Sequence, residues 1–371
     1  MTTALKIMTI ILIFTTASSA YEVDQFTKRS EVPKDSLKII DAEINKRIEA
    51  AIKVFNSSYF NERCNSPDPK KRLQSKFEVY KELATQLANR RDDRGYLEGF
   101  AEDLPQDYRR KISFDESIYN TKQASTLLRT FGLGSVINVN GHQVGTDKLG
   151  HFFNEGLYIY KNNQIREDET DRKKVGTIDS AYFERNYYGL RSTGVKSYAD
   201  MVANFDGQSF WEKICVRTAK EAKTLCEPNS YLQCNDKGKW ELNPKQNFSL
   251  KNYVTSGWDE SINCNSFNPD FNEGITQKMA ARVDAAKKLQ PCPVEPAKCL
   301  EIIDHYRGYN TKIVNPICLR VGVAVRKGRK IDPEKPFNYS YLDEKLKTKK
   351  DEKSEPSPTK STPKNTVDTK K

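Results

Sequence analysis

Eight cysteines restrict how this chain can fold more than any other feature of its sequence. They are Cys64, Cys215, Cys226, Cys234, Cys264, Cys292, Cys299 and Cys318. An even number of cysteines in an exported chain favours disulfide bonds, which persist in oxidising compartments. Zinc is the alternative, but no C-x-x-C pair occurs, and the nearest cysteines are seven and eight positions apart. The pattern predicts disulfides, leaves their pairing open, and gives no reason to expect a metal or another cofactor.

Residues 1–20 have the features of a secretory signal. Lys6 supplies a positive charge, residues 7–14 form an apolar stretch, and Ser18-Ser19-Ala20 is a small-residue cleavage site. The apolar stretch is shorter than the roughly 20 residues that a membrane span needs. A retained amino-terminal anchor is the alternative. We therefore predict an exported protein, periplasmic or secreted, with no membrane span after signal cleavage.

The net charge of +11 lies partly in the carboxyl-terminal tail. Residues 345–371 contain nine lysines against four acidic residues and almost nothing apolar, so we predict that this tail is disordered. The remainder is mildly basic. That charge suits weak attraction to a polyanion such as a cell wall, and it makes no case for nucleic acid.

Hydrophobic spacing predicts helices in the first region of the mature chain, residues 21–115. Residues 36–55 and 71–91 carry apolar side chains at helical intervals. Four of them share one face of the second helix: Phe77, Tyr80, Leu83 and Leu87. Residues 226–344 hold six cysteines, with clear helical spacing only over 276–289, which is typical of a small disulfide-stapled domain.

The region 116–225 begins with structural signals of several kinds. A helix is predicted over 118–131, and the short apolar segment 136–139 indicates an edge strand or a loop. Asn140-Gly141 is a strong turn signal. The densely charged segment 161–174 is interpreted as a surface loop.

Glycines, aromatics and carboxylates are most densely interleaved over 145–211, where we expect any chemistry to occur. Thr146 or Asp147 can cap a helix that continues to about position 160. A second helix begins at about 177 and ends at about 185, before a predicted hairpin at 186–195. Ser197 can cap the helix that follows. The order is therefore helix, carboxylate, hairpin, helix.

Glu184 is the first candidate catalytic residue, because it lies where a helix ends and the hairpin begins. Shielding by Tyr182, Phe183, Tyr187 and Tyr188 would remove water from its carboxyl group, which disfavours the charged form and raises the pKa. A glutamate that is protonated at neutral pH can donate a proton to the leaving oxygen of a glycosidic bond. The alternative is a solvated glutamate at a helix end.

Asp147, His151 and Glu155 form a second candidate group, at spacing i, i+4 and i+8. This spacing places them along one helical face, where a histidine and a glutamate can ligate a divalent metal. The zincin pattern needs a second histidine on the same helix, and His142 lies outside it. Two alternatives remain. His151 could be a buried histidine bonded to Asp147 or to a backbone group, or it could take a direct part in catalysis.

Ser197, Asp200 and Asn204 form a third polar group, at i, i+3 and i+7. With Ser197 as the cap, Asp200 at the third helical position makes a variant of the capping box. Asp200 and Asn204 would also point toward the hairpin, where a sugar could lie. On the hairpin itself, Thr193 could hold a water opposite Glu184.

The order glutamate, hairpin, helix resembles the lysozyme superfamily, in which a glutamate at a helix end precedes a small β-hairpin that lines the sugar cleft. Three strings are similar to a group of exported proteins of predatory bacteria that includes deacetylation-specific lysozymes. They are Gly-Thr-Asp-Lys-Leu-Gly-His-Phe-Phe at 145–153, Glu184 with Tyr188-Gly-Leu190, and Thr193-Gly-Val-x-Ser-Tyr-Ala-Asp-x-x-Ala-Asn at 193–204. The likeness covers roughly residues 120–215, and its third string is the most specific.

The resemblance implies a mainly α (α+β) fold with a lysozyme-like helical core at 116–225, containing a small β-hairpin. The helical region 21–115 and the cysteine-rich region 226–344 lie outside the likeness. Glu184 is then the general acid. The expected sugar contacts are Tyr188, Thr193, Ser197, Asp200 and Asn204. Supporting or alternative roles fall to Asp147, His151 and Glu155.

The expected activity is that of an exported, monomeric glycoside hydrolase of the lysozyme type that cleaves peptidoglycan strands. A preference for deacetylated peptidoglycan is the finer expectation from the resemblance. Two alternatives differ in class. One is a metal-dependent hydrolase that uses Asp147, His151 and Glu155, and the other is a non-catalytic protein that binds the cell wall.

Overall fold

The structure is a computed structural model, and the fold is mostly helical with small sheets, which confirms the mainly α class. The residues it describes are 22–58, 63–91, 94–121, 129, 132–164, 166, 168–186, 194–216, 226–267, 274, 277–278, 281–282 and 292–328. The predicted signal and the tail lie outside these ranges, as do most residues of the helices predicted over 118–131 and 276–289. All described residues belong to one compact unit.

Two helices of the amino-terminal region pack against each other, α1 (Leu37–Ser57) and α2 (Pro69–Leu87). Helix α2 begins at a proline behind the Asp68 cap, as suits a residue that has no N–H to satisfy. It ends four residues earlier than predicted. Phe77 is 63% exposed, so its place on the predicted apolar face was wrong, and Val79 is buried there instead.

Short strands follow α2. Strand β1 (Arg90–Arg91) pairs with β2 (Arg94–Gly95), and α3 (Tyr96–Glu102) begins directly after it. A three-stranded antiparallel sheet then has the order β3-β4-β5, formed by the segments Arg109–Arg110, Val136–Val139 and His142–Gly145. Strand β4 is therefore the central strand and not the predicted edge strand.

The predicted turn at Asn140-Gly141 joins β4 to β5. Both residues have positive φ, 53° and 85°, as a two-residue hairpin turn of the primed kind requires. This turn sets the register in which Val136 faces Gly145. The hairpin of β4 and β5 therefore ends directly before the first of the central helices.

The centre of the molecule is a set of consecutive helices. They are α4 (Asp147–Gly150), a π-helical turn (His151–Glu155), α5 (Gly156–Asn163), α6 (Glu169–Asn186) and α7 (Tyr198–Ile214). The helix predicted to run from Asp147 past His151 is confirmed, with one extra residue in its π-helical turn. The loop predicted over 161–174 was wrong for most of its length, because α5 and α6 occupy much of it.

Helices α5 and α7 approach each other at two glycines. A Cβ on Gly207 would lie 2.0 Å from the carbonyl oxygen of Phe152, and one on Gly156 would lie 2.6 Å from the Gly207 backbone. Only glycine allows this distance. Around the crossing lies an aromatic core of buried rings: Phe152, Phe153, Phe210, Trp211, Phe248, Tyr253 and Trp258.

The predicted hairpin at 186–195 falls mostly outside the described residues, and so do Tyr188 and Thr193. Its last residue belongs to strand β6 (Val195–Lys196), which pairs antiparallel with β9 (Ser266–Phe267). The carboxyl-terminal region therefore contributes directly to the neighbourhood of α7.

Four disulfides join all eight cysteines, which confirms the prediction of disulfide bonds: Cys64–Cys234, Cys215–Cys226, Cys264–Cys292 and Cys299–Cys318. The first ties the amino-terminal helices to the hairpin of β7 (Leu232–Cys234) and β8 (Trp240–Leu242). The last lies between α8 (Pro296–His305) and α10 (Pro316–Arg326), with α9 (Asn310–Ile313) between them in sequence. In the described ranges, no helix has the length and apolar character needed to cross a membrane.

Candidate active site

A fully buried lysine lies at the centre of the candidate site. Lys148, in α4, is 0% exposed. Its Nζ lies 2.6 Å from Asp147 Oδ2, 2.5 Å from Asp200 Oδ1 and 2.6 Å from Glu260 Oε1. We call these four residues the Lys148 cluster. They bring together α4, the first turn of α7 and the segment before β9.

Opposite charges set the protonation states in the Lys148 cluster. Burial alone would lower the pKa of Lys148, but the three carboxyl groups outweigh it and hold that pKa well above its usual value. Burial would raise the pKa of Asp200, yet His151 and Lys148 outweigh burial and bring that pKa well below its usual value. For Asp147 burial prevails over Lys148 and raises the pKa to about 7. Asp200 is therefore the cluster's firmly ionised carboxylate.

Glu260, like Lys148, is a member of the cluster that was not predicted from the sequence. Its Oε2 accepts a hydrogen bond from Asn265 Nδ2 at 2.7 Å, and its Oε1 accepts one from Ser197 Oγ at 3.1 Å. Its backbone N–H donates to Gln25 Oε1 at 2.8 Å. Lys148 gave a usable signal, since a lysine inside an apolar helix needs buried partners.

His151 joins the cluster to a second hydrogen-bond chain. Its Nε2 lies 3.1 Å from Asp200 Oδ2, and its Nδ1 lies 3.0 Å from Asn204 Oδ1. Asn204 Nδ2 in turn donates to Ser180 Oγ at 3.0 Å. Two acceptors suit an imidazolium, which donates from both nitrogens. Burial would lower the pKa of His151, but Asp200 outweighs it and raises that pKa well above its usual value.

These contacts correct two predictions. The side-chain partners of His151 are Asp200 and Asn204, and not Asp147 or a backbone group as predicted. Asp200 and Asn204 therefore direct their side chains at the histidine, whereas the prediction had them facing the hairpin. His151 can hold both residues in place because one turn of α7 separates them.

Glu184 lies in the last turn of α6 and is 1% exposed. Its Oε2 accepts a hydrogen bond from the backbone N–H of Ser197 at 3.1 Å. Burial and the nearby Asp200 carboxylate raise its pKa well above the usual value, and His151 offsets only part of that rise. Tyr182 is 54% exposed, so the predicted shielding by this ring was wrong. Glu184 is instead buried next to the start of α7.

Ser197 links Glu184 to the Lys148 cluster. Its Oγ accepts from the backbone N–H of Asp200 at 3.1 Å, which confirms it as the cap of α7. The same hydroxyl donates to Glu260 Oε1. In a capping box the backbone N–H of Ser197 would donate a hydrogen bond to the side chain of Asp200. Here it donates to Glu184. The variant capping box was therefore wrong, and the freed Asp200 side chain joins Lys148 and His151.

A further buried carboxyl group, Glu98 in α3, lies beside this network. Burial raises the pKa of Glu98 to about 8, and the neighbouring Asp147 and Glu155 contribute to the rise. Glu155 is itself buried, at 8% exposure. The two glutamates are thus part of the surroundings of Asp147 and His151.

Three of these residues have the composition of a metal site. Asp147, His151 and Asp200 each offer a ligand atom, and these atoms lie within 4.8 Å of one another. Asp200 takes the place that the sequence gave to Glu155. The Lys148 ammonium already lies within 2.6 Å of both aspartates, so the positive charge that a metal would supply is present.

Folding stability should fall as the pH rises from about 5 to 8. The pKa of Glu98 in the folded protein is about 8, against an ordinary value of 4.5, and that of Asp147 is about 7, against 3.8. The folded state therefore binds more protons than the unfolded state in this window. The stability contributed by each raised carboxyl is present below its unfolded pKa and is lost as the pH rises through its folded pKa.

Glu98→Gln keeps the shape of the side chain and removes its titration, so urea unfolding measured across the window should show a shallower decline. Glu49→Gln, at an exposed position of α1, serves as the matched control. Equal slopes for Glu98→Gln and the wild type would contradict the assignment of this pH dependence to Glu98.

No protein family, no curated protein and no solved structure matches the chain. The geometry of this site is therefore the basis for assigning a function.

Proposed function

We propose that the protein is an exported glycoside hydrolase of the lysozyme type that cleaves peptidoglycan, with Glu184 as its general acid. The observation that carries this proposal is one buried network, in which the backbone N–H of Ser197 donates to Glu184 while Asp200 pairs with Lys148 and His151. In this network burial raises the pKa of Glu184, and the two cations lower the pKa of Asp200. Environments that separate two carboxyl pKa values in this way identify an acid and its ionised partner. Glycoside hydrolysis commonly uses two carboxyl groups in these two states.

Glu184 would donate its proton to the leaving oxygen as the bond from that oxygen to the sugar carbon breaks, and water would then add to that carbon and return a proton to the Glu184 carboxylate. The carboxylate that remains is negatively charged, and two groups can stabilise it. The backbone N–H of Ser197 already donates to Oε2, and the imidazolium of His151 lowers the free energy of the charged form. Both groups are fixed before the reaction, so neither must reorganise when the proton leaves.

Asp200 would act as a fixed negative charge. Its lowered pKa makes it a weak base, which argues against removal of a proton from water by this carboxylate. A carboxylate near the scissile bond stabilises the positive charge that develops on the sugar ring. Asp200 also keeps His151 protonated, and through it influences Glu184.

Export and the wall substrate are parts of the same proposal. Four disulfides are compatible with an oxidising compartment. The preference for deacetylated strands is the finer proposal, and its support is the likeness of the strings at 145–153 and 193–204.

Product analysis of digested sacculi tests the proposal. Native and chemically deacetylated sacculi are incubated with the full mature chain, and the released fragments are examined by mass spectrometry and for new reducing ends. We expect soluble muropeptides cut between sugars, with more released from the deacetylated sacculi. Release of peptides without cleavage between sugars would contradict a glycosidase. Binding without any release would favour the non-catalytic alternative.

A metal-dependent hydrolase is the second candidate, and the grouping of Asp147, His151 and Asp200 favours it. Asp147 Oδ1 is buried and accepts no hydrogen bond from any described residue, so it could serve as a ligand. Incubation with a chelator separates the candidates. A lysozyme keeps its activity, whereas a metal-dependent hydrolase loses it and recovers on addition of a divalent ion.

A further inference from the structure

A cavity of about 460 Å³ is lined by residues of two segments, 28–33 before α1 and 106–111 around β3. Both segments lie well inside the described ranges 22–58 and 94–121, so the chain is described on either side of each wall. The volume is within the range of sites that bind small molecules. The cavity shares no residue with the Lys148 cluster or with Glu184 and is therefore separate from the candidate active site.

Arg110, in β3, is a buried cation in the wall of this cavity, with 5% of its side chain exposed. Three other lysines and arginines of the described ranges are buried, and each lies within 3.1 Å of a carboxylate oxygen: Arg29, Lys148 and Arg172. Among the described residues, Arg110 has no such ion pair. A charged side chain is rarely buried without a partner, because nothing then compensates the loss of its hydration.

The guanidinium of Arg110 uses only one of its three nitrogens. Nη1 donates to Gln143 Oε1 at 2.5 Å and to the backbone carbonyl oxygen of Glu31 at 3.0 Å. Nε and Nη2 donate to no acceptor among the described residues. The N–H groups of these two nitrogens are parallel and form the side-on edge of the guanidinium, which matches two oxygens of one carboxylate or phosphate. Nη1 therefore holds Arg110 in place, and the edge suited to an anion has no partner.

The other charged residues of the cavity leave a small positive excess. Three of them pair with residues that do not line it, at 2.9, 2.7 and 3.7 Å: Lys28 with Glu116, Asp107 with Lys34, and Lys111 with Glu102. Arg109, Arg110 and Glu31 remain, which is an excess of one positive charge. An excess of this size attracts an anion only weakly, so the hydrogen bonds of Arg110 must provide the specificity.

The electrostatic surroundings of Arg110 agree with a shortage of negative charge. Burial and the neighbouring Arg29 lower its pKa to about 10, and the attraction of Asp24, Asp259 and Glu31 does not offset them. Arg110 still carries its charge at neutral pH. An anion beside the guanidinium would compensate the cost of its burial.

We infer that this cavity binds a small molecule through a carboxylate or phosphate group, two oxygens of which accept hydrogen bonds from Nε and Nη2 of Arg110. The site does not depend on the hydrolase proposed above, since it involves none of the residues in that mechanism.

Nuclear magnetic resonance titration of the full mature chain tests the inference by following the Nε–H signal of Arg110. The probes are lactate for the carboxylate, glycerol 3-phosphate for the phosphate ester and glycerol as the neutral compound. We expect a saturable shift of this signal with one of the anions and none with glycerol. The anion that binds identifies the group the site accepts. An equal shift with glycerol, or no saturable shift with either anion, would overturn the inference on the wild-type protein alone.

Arg110→Lys keeps the positive charge but has no side-on edge, so it should weaken binding of that anion by about tenfold. Arg109→Lys is the matched control, because Arg109 lines the same cavity while its Nε already donates to the carbonyl oxygen of Leu104 at 2.7 Å. The control should bind the anion as the wild type does. Backbone amide signals of residues 28–33 report binding in both variants, and thermal unfolding checks that each is folded. Equal affinities of the two variants would show attraction by charge alone and would contradict the role of Arg110.

Discussion

Replacing Glu184 with glutamine is expected to reduce the digestion of sacculi by about 10²-fold or more. Glutamine has nearly the same shape and can still accept a hydrogen bond from the N–H of Ser197, but it has no acidic proton to donate. Since the wild-type carboxyl group is buried with a raised pKa, the neutral amide replaces a neutral acid. The loss should therefore appear in kcat, with folding stability unchanged or slightly increased at neutral pH.

The dependence of activity on pH tests the role of Glu184 in a second way. An acid must be protonated to act, so wild-type activity should decline as the pH rises through the raised pKa of Glu184. Residual activity of Glu184→Gln should lack that decline. Glu49→Gln, at an exposed glutamate, is the control and should digest sacculi at the wild-type rate. Undiminished digestion by Glu184→Gln would remove Glu184 from the mechanism.

The parts of the fold that the sequence could predict are those set by local periodicity. Helix α1 follows from apolar spacing, and the starts of α4 and α7 were identifiable from the capping candidates Thr146 and Ser197 before them. The end of α2 was less predictable, because the chain soon after Leu87 forms strand β1, which pairs with β2. Exposure of Phe77 shows the same limit, since spacing does not tell which side of a helix meets its neighbour.

The candidate site was only half predictable. His151, Glu184 and Asp200 were identifiable because they lie in one segment with glycines and aromatics. Glu260 was not, since it lies sixty positions after Asp200 in a segment with no regular spacing. Its role depends on the tertiary contact with Lys148, and such a contact leaves no periodic pattern. Lys148 was not predicted either, because a protonated lysine is not a metal ligand and the candidate groups were chosen by ligand type.

Replacing Lys148 with methionine is expected to destabilise the fold by about 3–5 kcal/mol. Methionine has a similar length and suits an apolar interior, so packing is largely kept. The three carboxyl groups of Asp147, Asp200 and Glu260, however, lose the ammonium that lies within 2.6 Å of each. A buried carboxylate without a partner costs far more than a surface one, for which removal of a paired lysine changes stability by about 1 kcal/mol or less. Lys34→Met, at an exposed lysine whose Nζ lies 2.7 Å from Asp107 Oδ2, provides that comparison.

The dependence of this loss on pH identifies its cause. Without Lys148, the pKa values of all three carboxyl groups in the folded state should rise, those of Asp147 and Glu260 further above their ordinary values and that of Asp200 from below its ordinary value. A raised folded pKa means that stability is present below the unfolded pKa and is lost as the pH rises through the folded pKa. The difference between Lys148→Met and the wild type in urea unfolding should therefore be small near pH 4 and grow toward about pH 8. Adding Glu260→Gln to Lys148→Met removes one unpaired charge and should recover part of the lost stability. A loss that is the same at every pH, with no recovery in the double variant, would indicate a packing defect and would contradict the view that the ammonium of Lys148 neutralises the carboxyl groups around it.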